Sequence, residues 1–236
     1  MTKIVAITGI TGTLGKAVRR AFIGTPYADW SAYGCARKAP EDDSFITSID
    51  VRHPNAVAQW LASLPRIDAV VTCAGLSFVH DSVDVAASDW FSVIDANLSG
   101  TFFAVREAIK CGATRAVTIG SIHGCTPTSY PMRAGYTASK AGVMGLTQAL
   151  AVEFAHKGVA CNCVAPGHLP VLMNGTGAGQ ALLDAATANT PLGRLATPEE
   201  VASVIFWLCN DAPVSMTGQI LTIDGGFHMA TFPLER

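Results

Sequence analysis

The chain has 236 residues, half of them apolar and 14% charged, with a mean hydropathy of +0.34. That is a globular composition rather than a disordered one, and the length suits one domain with one sizeable core. Sixteen Lys and Arg stand against eighteen Asp and Glu without a block of either sign, so neither nucleic acid nor an anionic membrane is an expected partner.

Apolar runs of strand length recur in chain order at Lys3–Thr8, Ser31–Ala36, Phe45–Ile49, Ala69–Cys73, Arg115–Ile119, Val159–Val164 and Gln219–Ile223. Helical periodicity falls between them, at Leu14–Ile23, Pro54–Leu64, Ser88–Lys110, Gly135–Lys157 and Pro198–Asn210. This alternation predicts an α/β fold, a Rossmann-like doubly wound parallel sheet of seven strands with helices on both faces. The irregular stretch from Gly167 to Pro191, with Gly175, Gly177 and Gly179, is expected to be a flexible substrate lid on this single domain, residues 1–236. Only four apolar residues follow Lys3, short of the core of a signal peptide, and no apolar run approaches the length of a membrane span. Together with seven scattered cysteines this points to reduced core thiols in a cytoplasmic protein. Cys161 and Cys163 would share one strand face, and no zinc-ligand spacing accompanies them, so no metal is expected.

Directly after the first strand comes Thr8-Gly9-Ile10-Thr11-Gly12-Thr13-Leu14-Gly15, opening onto a helix. Such a turn brings backbone close to a pyrophosphate while the helix N-terminus supplies unpaired N–H groups. Gly9, Thr11, Gly12, Leu14 and Gly15 are therefore candidate cofactor-binding residues. After the second strand stand Arg37 and Lys38, cations suited to a ribose 2′-phosphate, where an acid would favour the unphosphorylated cofactor. NADP(H) is favoured over NAD(H), although Glu41, Asp42 and Asp43 follow closely. Tyr136 and Lys140 sit at i and i+4 and so face the same way, and a cation beside a phenol favours the phenolate. Ser121 follows the fifth strand through Gly120, at a carboxyl end that opens onto a cleft, where its hydroxyl can bond a substrate oxygen.

With these elements goes a wider set: Asp50-Val51, Ala74-Gly75, Asn97, Tyr136-x-x-x-Lys140, Pro166-Gly167, Thr217-Gly218 and Asp224-Gly225-Gly226. In this order the chain resembles the short-chain dehydrogenase/reductase family, in its single-domain branch, from Lys3 to about Phe227. The resemblance implies an oxidoreductase interconverting a ketone and a secondary alcohol by hydride transfer. Asn97, Ser121, Tyr136 and Lys140 would be its catalytic residues, with Asn97 in a proton relay. It also implies that Asp50 binds the adenine edge and Val51 packs on it, that Lys140 bonds the nicotinamide ribose, and that Ala74, Gly75, Tyr136, Pro166 and Gly167 border the cofactor. A homotetramer through the long helices after the fourth and fifth strands and through the C-terminal strand edge is implied as well.

The sequence departs from the family pattern in three places. Gly12 stands one place early, a spacing closer to the sugar-nucleotide epimerase branch; Thr72-Cys73 replaces two asparagines; and Val171 stands where a threonine is usual. An epimerase or dehydratase and a non-catalytic nucleotide sensor are the alternative functions. The fifteen-position gap from Ser121 to Tyr136 leaves extra loop, His123 to Arg133, over the substrate side. Its His123 and Arg133 can reach a polar or anionic substrate, but a solvated loop is the preferred reading there. Arg106, Lys110 and Arg115 form the one basic cluster that could serve an acidic carrier protein.

Overall fold

In the computed structural model the described residues are 2–24, 29–125, 132–170 and 179–230. Seven parallel strands, β1 (Lys3–Thr8), β2 (Trp30–Ala36), β3 (Ile46–Ser48), β4 (Ala69–Thr72), β5 (Arg115–Ile119), β6 (Ala160–Pro166) and β7 (Ile220–Ile223), form one sheet in the order β3-β2-β1-β4-β5-β6-β7. The order reverses between β1 and β4, which pair from Val5↔Ala69 to Thr8↔Thr72. A crevice forms at such a reversal, outside the carboxyl ends of the strands.

Both faces of the sheet are apolar because both are covered. Successive side chains of a strand point to opposite faces, and the core divides accordingly. Val5 and Ile7 of β1, Ala69 and Val71 of β4 and Val117 of β5 pack with α1 (Thr13–Ile23) and α7 (Pro198–Asn210). Ala6, Val70 and Ala116 pack on the other side with α2 (Pro54–Ser63), α4 (Gly100–Lys110) and α5 (Ala134–Phe154). Phe22 of α1 joins the first layer edge-on to Trp30 at 5.0 Å and to Phe206 of α7 at 5.2 Å. α7 begins with Pro198 and a reciprocal cap, in which Thr197 accepts from the Glu200 N–H and Glu200 accepts from the Thr197 N–H. The cysteines of β6, Cys161 and Cys163, are free and fully buried, and burial pushes the Cys161 thiol up to about 12, as it does those of Cys35 and Cys209. These thiols stay protonated and act as small apolar side chains.

Two expectations need correction. The helix expected as one rod over Ser88–Lys110 is α3 (Ala87–Ile94), a π-turn over Asp95–Ser99, and α4. The wider turn leaves the helix path continuous but shifts the facing of every residue after it. The stretch expected to be irregular from Gly167 to Pro191 contains α6 (Gln180–Ala188), nine residues beginning directly after Gly179. Gly175, Gly177 and Val171 lie outside the described residues. No helix among the described residues is long and apolar enough to cross a membrane.

The tightest approach at the carboxyl end of the sheet is that of Gly9, in the left-handed region at φ +67°, where a Cβ would lie 2.6 Å from the backbone of Ala74. Gly9→Ala is expected to lower the unfolding free energy by about 2–3 kcal/mol through strain and overpacking. Urea unfolding measures this, and a loss below about 0.5 kcal/mol would show that the β1–β4 junction yields.

Candidate active site

The turn between β1 and α1 is held to its neighbours by backbone alone. Gly9 N–H donates to the Cys35 carbonyl at 2.8 Å and Gly12 N–H to the Gly9 carbonyl at 3.0 Å. A Cβ on Gly15 would lie 2.2 Å from the Gly9 oxygen, so the helix closes onto its own turn only with glycine there. α1 then starts with no side-chain cap and no acid in its first turn. Its first N–H groups and positive dipole end are left for an anion. Gly9, Thr11, Gly12, Leu14 and Gly15 all line one open cleft of about 970 Å³. Its length of lining, from β2 across the reversal point to β6, and its uncapped helix end fit a dinucleotide with a pyrophosphate at its centre.

At the β2 end, Arg37 lines the cleft, while Lys38 is exposed beyond the lining. Of the three acids that follow, Asp43 is bound by both Nη atoms of Arg19, which hold its carboxyl below the usual range. Arg37 enters no ion pair among the described residues. Asp50 and Val51 line the same end, and Val51 packs so closely on Gly100 that a Cβ there would meet its methyl at 2.8 Å. The Asp50 carboxylate is forked by Arg52, with Nε at 3.0 Å from each oxygen and Nη2 at 2.6 Å from Oδ2, and it also accepts from the Arg52 N–H. Those contacts hold Asp50 below its ordinary range and occupy most of its acceptor sites.

The other end gathers Ser121, Tyr136 and Lys140 around the carboxyl end of β5. Lys140 is buried, and its Nζ donates to the Ile119 carbonyl at 2.7 Å. The same Nζ lies 5.8 Å from the Tyr136 ring centroid. α5 is fixed against β5 deeper in the core by the Thr118 and Thr147 hydroxyls, 2.6 Å apart. Ser121 is buried too, with Oγ accepting from the His123 N–H at 3.2 Å. Asn97 is fully buried within the π-turn. Its Oδ1 accepts from Leu76 N–H at 2.7 Å, and its Nδ2 donates to the Leu76 carbonyl and to Ser139 Oγ, both at 2.9 Å. Asn97 thereby joins the chain after β4 to the second turn of α5. Gly75 lies at the junction: a Cβ there would be 3.3 Å from Asn97 Oδ1 and 3.8 Å from Lys140 Nζ. Ala74, Gly75, Pro166 and Gly167 all border the cleft, and Gly167 rests against Asp224, where a Cβ would lie 2.6 Å from the aspartate Cβ.

His123 corrects the preferred sequence reading, which placed it in a solvated loop. It sits in a single 3₁₀ turn, Ile122–Gly124, with 8% of its surface exposed, and it lines the cleft. Gly124 permits this, because a Cβ there would lie 2.7 Å from the Ala141 nitrogen of α5. The His123 ring stands edge-on to Tyr136 at 6.0 Å and to His168 at 5.5 Å, and His168 in turn meets Phe227 at 5.2 Å. Burial above all, with the charges of His168 and Arg133, pulls His123 down to about 4, and burial lowers His168 as well. Both imidazoles are neutral near pH 7. Sequence reasoning passed over His168, Arg52 and Ser77, which also line the cleft. The first follows Pro166-Gly167 directly and the second follows Asp50-Val51, so adjacency to a motif was the available signal.

A family model described as enoyl-(acyl carrier protein) reductase matches residues 29–228. A 3-oxoacyl-[acyl-carrier-protein] reductase of Chlamydia muridarum is 34% identical over 72% of this chain and 69% of its own. A D-beta-hydroxybutyrate dehydrogenase of Rhizobium meliloti is 29% identical over 96% and 99%. Among solved structures, a 3-oxoacyl-[acyl-carrier protein] reductase from Brucella melitensis superposes with a TM-score of 0.86 at 27% identity, covering 97% of this chain and 92% of that one. With the parallel sheet, the glycine turn and a match over most of its length, the chain belongs to the short-chain dehydrogenase/reductase family of nicotinamide-dependent oxidoreductases.

Proposed function

We propose that the protein reduces a ketone, or oxidises the matching secondary alcohol, with NADP(H) as its cofactor. The observation that carries this reading is the convergence of Ser121, Tyr136 and Lys140 on the cleft that begins at the uncapped end of α1. In this reading the glycine turn and α1 hold the pyrophosphate, Arg37 pairs with the 2′-phosphate, and Lys38 adds to the positive field from the rim. Asp50, Val51, Ala74, Gly75, Pro166 and Gly167 line the remainder, and the Lys140 ammonium bonds the nicotinamide ribose. The bound nicotinamide supplies or accepts the hydride.

Tyr136 gives its phenolic proton to the carbonyl oxygen, or takes one from the alcohol. Lys140, held by the Ile119 carbonyl, stabilises the negative charge this leaves on the phenol oxygen. Ser121 donates to the same substrate oxygen as charge develops there. Asn97 contributes to proton relay by fixing the Leu76 backbone and Ser139 beside Lys140. α6 brings Leu182 and Leu183 to the cleft, which supports a cover over the substrate side, around 167–191, on a single domain. A free small molecule is the preferred substrate. Two cations of the basic cluster, Arg106 and Lys110, both bond Glu107, which leaves Arg115 to attract an acidic carrier. The exposed Trp90, Phe91 and Val152, on α3 and α5, support assembly into a homotetramer through these helices.

Tyr136→Phe removes the proton donor and keeps the ring, so kcat is expected to fall about 10²–10⁴-fold with little change in NADPH affinity. Steady-state rates and fluorescence titration check both, and an undiminished rate would move the proton transfer elsewhere. For the cofactor, Arg37→Asp puts a repelling carboxylate where a phosphate partner stood. The wild-type protein is expected to bind NADPH more tightly than NADH by calorimetry, and the variant to narrow or reverse that preference. Equal affinities in the wild type would remove the basis for NADP(H).

A further inference from the structure

We infer that the substrate carries a carboxylate, and that Arg133 holds it beside Tyr136 in the cleft. This inference rests on the oxidoreductase reading above and names its substrate class: a short oxo acid and its hydroxy acid.

The charges around the cleft are one-sided. Six cations line it, Lys16, Arg20, Arg37, Arg52, Arg133 and Lys140, against a single carboxylate, Asp50. Most of them are accounted for. Arg20 bonds Glu199 at 2.7 Å, Arg52 forks Asp50, and Lys140 bonds the Ile119 carbonyl. Lys16 and Arg37 lie at the β1–β2 end, where the phosphates of a dinucleotide come. Arg133 belongs to the opposite end. It precedes α5, which is docked on β5, and β5 stands three strands away from β2, about 14 Å at the usual strand spacing. The phosphates of the cofactor do not account for a cation there.

Arg133 is the residue at the N-terminal boundary of α5, three places before Tyr136. Its own backbone is not helical, at φ -132° and ψ 27°, but the short interval keeps it beside Tyr136 at the mouth of α5. Arg133 lines the main cleft beside Ser121 and Tyr136, and with Tyr136 it also borders a smaller cavity of about 90 Å³ walled by Phe78, Trp90 and Val93. It enters no ion pair among the described residues. The acid that borders the smaller cavity, Asp89, faces His80 at 3.8 Å, and Asp224 behind Gly167 is bound by His228 Nδ1 at 2.6 Å and by two backbone N–H groups. His123 and His168, which line the main cleft, are neutral and lend hydrogen bonds rather than charge. A guanidinium at the border of a mostly apolar cavity is matched by a planar, forked acceptor, which a carboxylate provides. The cavity of about 90 Å³ has room for a chain of a few carbons.

The reaction balances without a further reagent. The hydride pair from the reduced nicotinamide forms the new C–H bond, the carbonyl π bond opens onto oxygen, and the Tyr136 proton completes the hydroxyl. The oxo acid is reduced, the nicotinamide is oxidised, and the carboxylate is unchanged.

The test pairs 2-oxo and 3-oxo acids of four to six carbons with their methyl esters, each assayed with NADPH and with NADH. At least one acid is expected to exceed its ester in kcat/KM by about 10–10²-fold, and Arg133→Met to bring that ratio close to one, while Arg133→Lys keeps part of it. A second readout needs no turnover: butanoate binding to the protein with NADP⁺, by calorimetry, is expected to weaken at least about tenfold in Arg133→Met. Esters used as well as acids in every pair, or an acid preference that Arg133→Met leaves intact, would overturn the carboxylate and leave the oxidoreductase standing. Butanoate binding that depends on Arg133, without turnover of any carbonyl compound, would support the anion site and overturn the oxidoreductase.

Discussion

A buried ammonium has to be paid for with acceptors, and Lys140 finds one in the Ile119 carbonyl, the last of β5. That bond joins the first turns of α5 to the carboxyl end of β5. With the Thr118–Thr147 contact deeper in the core, it leaves α5 little freedom to slide or roll. Tyr136 and Arg133 ride on the same turns of that helix, and Ser121 follows the same strand by two residues. The placing of Ser121, Tyr136 and Arg133 therefore depends on one charge that cannot leave the protein interior without losing its partner.

The sheet imposes the second constraint. Gly9 meets the Ala74 backbone and Gly15 meets the Gly9 carbonyl, so the turn after β1 and the end of β4 are set by contacts that a single methyl group would violate. Around them the side chains are permissive: Thr72 and Cys73 stand where the family carries asparagines, and both are accommodated at the end of β4. Backbone packing fixes where the cleft lies, and side-chain chemistry decides what occupies it.

Much of this was legible beforehand, for physical reasons. Seven apolar runs marked seven strands because a strand covered on both faces carries no polar alternation. The glycine turn and the i, i+4 pair of Tyr136 and Lys140 were legible because their spacing is itself the constraint. What escaped depends on tertiary contact. His123 was assigned to solvent because nothing in its neighbours reveals that a 3₁₀ turn would press it against Tyr136 and His168. Arg52 was overlooked because its meaning comes from folding back two residues onto Asp50. α6 was hidden by the glycines before it, and the π-turn because helical periodicity is blurred, not broken, by one wider turn.

That π-turn has a consequence for how such a helix changes over evolutionary time. A π-turn accommodates one residue more than an α-turn over the same path, so Asp95–Ser99 has the form of a single-residue insertion absorbed without displacing either flanking helix. Removing one residue from it would restore α-geometry and rotate the upstream face by about 100° relative to α4. Asn97 would then point away from Leu76 and Ser139, and Leu98 would lose the notch at Gly142, where a Cβ would lie 2.9 Å from its methyl. A length change in this segment thus moves several of these contacts at once, where a substitution at Asn97 removes only its own. A homologue one residue shorter here must find another group for the space between β4 and α5.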